Sequence, residues 1–172
     1  MEALKRLSNY KNVSNLPYIL FGSLVIDLIV IAMAKMNLLG TSLKVWYDKF
    51  GLSAVLADTL ILVLGVIIAQ YIYTEYFSKS TPLIFLVIIG IVQLIHDVLF
   101  YQLAILGTPK GQNKVMDLFK VYANEMKGGI LIADLIMILG TVGVAVVASD
   151  LKQPLFNFLF ILAVYTVPYI IA

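Results

Sequence analysis

Apolar residues come in five long runs, from about Leu16 to Ala34, Leu52 to Tyr73, Pro82 to Leu106, Ile130 to Ala148 and Pro154 to Ala172. A helix crossing the hydrocarbon core of a bilayer needs roughly 20 mostly apolar residues, and each run meets that length. Pro17, Pro82 and Pro154 stand at the start of their runs, in the first turn, where the missing N–H has no partner to lose. Pro168 lies inside the fifth run and predicts a kink or an end to its regular part. The chain stops at Ala172 without a polar tail, which puts its C-terminus at the membrane interface.

Two of the polar stretches between the runs carry a helical pattern of their own. Val115, Leu118, Phe119, Tyr122 and Met126 recur at helical spacing over 112–126, with Lys114, Asp117, Lys120 and Asn124 opposite. Asn113 suits the start of that helix and Gly128-Gly129 its end. Residues 42–50 repeat the idea in short form, with Val45, Trp46 and Phe50 among Lys44, Asp48 and Lys49. Amphipathic helices of this kind lie in the interface plane, and Trp46, Phe119 and Tyr122 are the expected anchors at the headgroup boundary. Tyr71, Tyr73, Tyr76 and Phe77 read as an aromatic belt on the opposite side.

The pattern therefore predicts an all-α integral membrane bundle of five transmembrane helices with two interfacial amphipathic helices, in one domain spanning 1–172. A two-fold internal repeat is also visible. Lys44-Val45-Trp46 leads to Ala57-Asp58 with the spacing by which Lys120-Val121-Tyr122 leads to Ala133-Asp134, and Leu24 and Asp27 correspond more loosely to Leu94 and Asp97. The units would be 16–73 and 82–148, with a fifth helix at 154–172 outside them; parallel repeats of this kind occur in transporters.

Composition agrees with the pattern. The 172 residues are 62% hydrophobic and 13% charged, with a mean hydropathy of +1.00, against about 45–50% and about 25% for soluble domains. A disordered, fibrous or ordinary cytosolic protein is excluded. The chain has no Cys, so it has neither a disulfide framework nor a thiolate site. Its net charge of +2 is spread along the chain, without the basic patch that nucleic acid requires. Lys5, Arg6 and Lys11 before the first run resemble the start of a signal peptide, but Asp27 sits mid-run, which favours a retained helix. Seven basic residues fall on the side of the loops 35–51 and 107–129 against five on the other, a bias that makes the loop side cytoplasmic.

Four acids interrupt the runs: Asp27, Asp58, Asp97 and Asp134, with Gln93 one turn before Asp97 and His96, the only histidine, beside it. A charge at the bilayer centre costs about 2.5–3.5 kcal/mol on insertion scales, so each acid needs neutralisation, a partner or water. At 1.5 Å per residue, Asp58 and Asp134 lie roughly 9 and 6 Å from the loop-side end of their helices, Asp97 roughly 14 Å, and Asp27 near the middle. They form a polar funnel, with Asp27 and Asp97 as central sites and Asp58 and Asp134 at the mouth. For Asp58 the competing partners are Lys44 and Lys49; for Asp134 they are Lys120 and Lys127. His96 should point about 100° away from Asp97 around the helix.

Other chemistry finds little support. No phosphate-binding glycine loop is present, no second histidine completes a zinc site, no serine lies near His96, and no lysine lies in a run. No cofactor, metal or catalytic residue is expected. The stretch Gln93 to Tyr101, followed by Gly111 to Glu125, resembles multi-pass proteins of large DNA viruses of algae and protists. It covers only part of the chain and implies no chemistry. The residues point to a channel or transporter for protons or small cations along Asp27, Asp58, Gln93, His96, Asp97 and Asp134. Five helices make a thin wall around a pore, so a homo-oligomer in the lipid bilayer is expected. The competing functions are a structural or assembly protein with the acids bonding helix to helix, and a lipid-directed enzyme using His96 and an Asp as acid and base.

Overall fold

The computed structural model describes all 172 residues and is helical throughout, without a strand. A short helix α1 (Glu2–Leu7) leads through the 3-10 turn Val13–Asn15 into α2 (Leu16–Lys35). Next come α3 (Thr41–Phe50), α4 (Leu52–Tyr76) and α5 (Leu83–Leu99), which runs on into a π-helical turn, Phe100–Ile105. The chain ends with α6 (Lys114–Met126), α7 (Gly129–Ser149) and α8 (Gln153–Ile171). Five helices are long and apolar enough to cross a membrane: Val13–Lys35, Leu52–Tyr76, Leu83–Ile105, Gly129–Ser149 and Gln153–Ile171, with mean hydropathies between 1.9 and 2.6.

Local chemistry sets most of the helix ends. Asn113 caps α6 by accepting the amides of Val115 and Met116 at 2.8 and 3.3 Å, which satisfies donors that have no partner inside the helix. Pro17 and Pro154 occupy the first turns of α2 and α8. α8 runs through Pro168 to Ile171. A proline so near the end removes one hydrogen bond without ending the helix. The pattern of apolar positions did not indicate α1, because its stability comes from contacts distant in sequence. The Asn15 amide donates to the carbonyls of Arg6, Leu7 and Asn9 at 2.8, 3.3 and 3.2 Å, and the Gln70 amide donates to the Leu7 carbonyl. Arg6 meets Asp150 at 2.5 Å and Lys11 meets Glu75 at 3.3 Å, exposed pairs worth at most about 1 kcal/mol each.

α2 is the central helix and packs on α3, α4, α7 and α8. Its closest approach is to α7, at Gly22, where a Cβ would stand 2.4 Å from the Thr141 carbonyl oxygen. Small residues allow such approaches between membrane helices, where packing rather than water exclusion holds helices together. At the α1 end of the bundle, Leu7, Ile19, Val66, Phe85, Ile89 and Val142 close a continuous apolar core. A second core joins α2, α3, α7 and α8 through Phe21, Ile31, Tyr47, Ala148, Phe156 and Val167. At the opposite end α3 and α6 pack against each other.

The two corners that launch α4 and α7 share a backbone conformation. Gly51 has φ 51° and ψ −125°, and Lys127 has φ 51° and ψ −134°. The two residues also correspond under the spacing that relates Asp58 to Asp134. Glycine adopts this region freely, whereas a lysine there carries strain on the order of 1–3 kcal/mol. Lys127→Gly should therefore raise the thermal unfolding temperature of the purified protein, and Gly51→Ala should lower it. Both are measurable by circular dichroism in the same detergent; an unchanged or lowered midpoint for Lys127→Gly would show that the corner is not strained.

Candidate functional site: an acid-lined cavity

α4, α5 and α7 stand apart at the α3/α6 end, and the space beneath those two helices is a cavity of about 600 Å³. That is within the roughly 300–1,000 Å³ typical of small-molecule sites. Of its 29 lining residues 21 are hydrophobic, and the others include Asp58, Gln93, His96, Asp97, Asp134 and Lys127. Every residue of the expected pathway except Asp27 lines this one space. The π-helical turn contributes to its wall. Leu106 N–H donates to the Tyr101 carbonyl five residues back at 2.9 Å, and the widened turn sets Phe100, Tyr101 and Ile105 against the cavity.

Asp27 lies behind the cavity wall, with no exposed surface. Tyr47, equally buried, reaches it from α3: the phenolic oxygen is 2.8 Å from Asp27 Oδ1 and 2.9 Å from Asp58 Oδ2. Asp58 Oδ2 also accepts the Trp46 indole N–H at 2.8 Å, and Thr59 Oγ1 lies 3.5 Å from Asp27 Oδ2. Burial, reinforced by the negative charges of Asp58 and Asp27, pushes the Tyr47 phenol far above its ordinary value. It therefore keeps its proton, and a phenol has only one to donate. Two carboxylates cannot both accept it, so one carboxyl supplies a second proton. Asp58 already receives the indole and faces the cavity, which makes it the acceptor. Tyr47 thereby bridges the two carboxyls, giving a chain from Asp27 through Tyr47 to Asp58 and the cavity.

Asp97 forms a second centre. Its Oδ1 accepts the Gln93 amide at 2.7 Å and lies 3.1 Å from His96 Nδ1, while Oδ2 is buried without a partner. The expectation that His96 turns away from Asp97 is corrected: rotation of its side chain brings Nδ1 back to the neighbouring carboxyl. The ring stacks on Phe100, one turn along, at 5.8 Å and 13°. Asp134 feels the negative charges of Asp97 and Asp58 and the charge of His96. Burial, with the charges of Asp134, Asp58 and Glu125 behind it, pushes the Tyr122 phenol up, so it remains an O–H donor at the cavity wall.

Asp27 is joined to Asp58 through Tyr47, and Asp97 and Asp134 line the cavity with Asp58. No lysine pairs with any of them: Lys35 binds Asp48 at 2.7 Å, Lys120 donates to the Thr108 carbonyl, and Lys49 lies over the Phe50 ring. Trp46 is buried, with its ring against Phe50 and Phe119, not turned outward as an anchor. Phe119 and Tyr122 line the cavity. On the other side Tyr73 is buried and donates to the Ser80 carbonyl at 2.9 Å, while Tyr76 is exposed. Tyr47 went unnoticed in the sequence because the inward face of α3 was misassigned. Leu43, Trp46, Tyr47 and Phe50 fall at i, i+3, i+4 and i+7, the spacing of a buried face, and Val45 points out.

Glu125 ties the two covering helices together. Its carboxylate accepts the Thr41 amide at 2.7 Å, the Thr41 hydroxyl at 3.0 Å and the Ser42 amide at 2.9 Å. α3 begins at Gly40, which offers no side-chain cap, and α6 supplies the missing acceptor. Hydrogen bonds from Ser42 and Thr41 hold the Glu125 carboxyl down at about 2. No group of three or more His, Cys, Asp or Glu side chains lies close enough together to hold a metal ion. Comparison with protein-family models, curated protein sequences and solved structures gives no match.

Two predictions follow from this geometry. Asp27→Asn keeps a hydrogen-bonding partner for Tyr47 and should cost less than Tyr47→Phe, which removes the bridge between the two carboxyls, leaves Asp58 only the Trp46 indole and Asp27 only Thr59, and should cost about 1–3 kcal/mol. Equal losses in thermal unfolding would contradict the donor count. The Glu125 carboxyl is depressed in the folded state, so its stabilisation is complete above its ordinary value of 4.5 and is lost as pH falls toward about 2. Glu125→Gln should remove that acid limb from the stability–pH curve; an unchanged limb would show that the latch does not titrate.

Proposed function

We propose that this multi-pass membrane protein transports protons or small cations, using the carboxyls around the cavity as its sites. The observation that supports it best is the Asp27–Tyr47–Asp58 chain, which links a fully buried carboxyl to the cavity wall in two short hydrogen bonds. Proton exchange along such a chain needs only small displacements of hydrogen, provided each group offers one donor and one acceptor in turn. Asp97, His96 and Asp134 extend the set of exchangeable groups around the same space. Intramembrane acids facing a cavity are the usual mark of an ion or proton pathway.

A transporter fits better than an open channel. The cavity reaches from the α3/α6 end to about Leu62, Gln93 and Met137, and beyond it the apolar core of Leu7, Ile19, Val66, Phe85 and Ile89 fills the bundle. Passage to the other side then requires that core to rearrange, as in alternating access. The α1 staple at Gln70 and Asn15 is the part that would have to loosen. A role as passive glue is less well supported, because Asp97 keeps an oxygen without a partner.

The test is proton and monovalent-cation flux into liposomes containing the purified protein, under imposed pH and voltage gradients. Wild type should carry flux. Tyr47→Phe, which interrupts the chain, should reduce it by about tenfold or more, a barrier increase of roughly 1.4 kcal/mol. A folded, correctly inserted wild type that is silent under both gradients would rule out this function.

A further inference from the structure

We propose that the cavity binds an amphiphilic organic monocation, with Asp97 Oδ2 as its ionic anchor and the surrounding aromatic rings as its apolar bed. The proposal goes beyond the proton and small-cation reading above: it concerns what the cavity binds and does not depend on that transport.

The anchor is defined by what it lacks. The Asp97 side chain is 9% exposed. Its Oδ1 takes the Gln93 amide and the His96 ring nitrogen, Asp97 lines the cavity, and its Oδ2 is buried with no partner in the protein. A buried acceptor without a donor is costly, and here both local donors converge on the other oxygen. The open oxygen is therefore the place for a donor or a positive charge brought by a ligand.

The remaining wall selects the ligand. Asp58 and Asp134 add two further carboxyls, and the groups of opposite or variable charge are Lys127 and His96. Acids outnumber fixed cations three to one, which disfavours an anion. The acids are spread around the wall and do not gather into a metal-holding group, so a multivalent metal ion finds no coordination shell. The lining is mainly hydrophobic, and Trp46, Phe100, Phe119 and Tyr122 present rings around the space. Aromatic faces attract organic cations over a distance of about 6 Å. Val98 of α5 and Ile136 of α7 line the cavity and are 47% and 65% exposed.

Trp46 is the only tryptophan, and its indole N–H sits on Asp58 at the cavity wall, so its fluorescence reports occupancy. The experiment titrates protein in zwitterionic nanodiscs with tetraphenylphosphonium and, separately, with tetraphenylborate, two probes of nearly equal size and opposite charge. The cation should change Trp46 emission saturably and the anion should not. Asp97→Asn should weaken cation binding by about tenfold or more, and Asp97→Glu should retain it. Equal responses to the two probes, or wild-type affinity in a folded Asp97→Asn, overturn the proposal. The charge comparison on wild type stands even if the asparagine variant does not fold. Charge-selective binding alongside absent proton flux keeps this site and removes transport; proton flux with no charge-selective binding removes this site and keeps transport.

Discussion

Tyr47 has one proton to give and two carboxyls within reach of it. That shortage organises the covered end of the bundle. Asp27 sits on the central helix with no exposed surface, where an unpaired charge would be intolerable. It is accommodated because Tyr47 bridges it to Asp58 in two hydrogen bonds. The arrangement needs α3 to lie across the bundle with its inward face down. Glu125 caps the start of α3, and Trp46, wedged against Phe50 and Phe119, holds its middle. Stability and chemistry thus depend on the same contacts.

The two ends of the molecule solve the membrane problem differently. At the α1 end, helices α2, α4, α5 and α7 fill the interior with apolar side chains, and the close approach at Gly22 sets α2 directly on α7. At the other end the acids prevent such closure. There α4, α5 and α7 line the cavity, with Asp58, Asp97 and Asp134 on its wall. Its walls combine apolar surface with a few polar groups.

Much of the fold was legible in the sequence, because lipid requires long apolar runs and leaves little choice of structure within them. The five spans, the cap at Asn113 and the two covering helices follow from local pattern. Five of the six polar residues singled out share one cavity for the same reason: an acid in an apolar run must face inward. What the sequence did not reveal depends on contacts far apart in the chain. α1 is held by Asn15 and Gln70, and no periodicity announces it. Tyr47 belongs to a face that starts at Leu43, one register away from the Val45 face first assumed. His96 turned back to Asp97 through its own side-chain torsions, which helical angles alone do not give. The lysines found partners in loops and on α3, leaving the acids to one another.

The protonation of Asp27 is the point on which the account turns. Infrared difference spectroscopy at neutral pH measures it directly, through the carbonyl stretch that a protonated carboxyl has and a carboxylate lacks. Wild type should show such a band, Asp27→Asn should remove a component of it, and Asp58→Asn should leave that component in place. A wild-type spectrum with no protonated carboxyl, or a band lost only with Asp58, would contradict the proton chain described here.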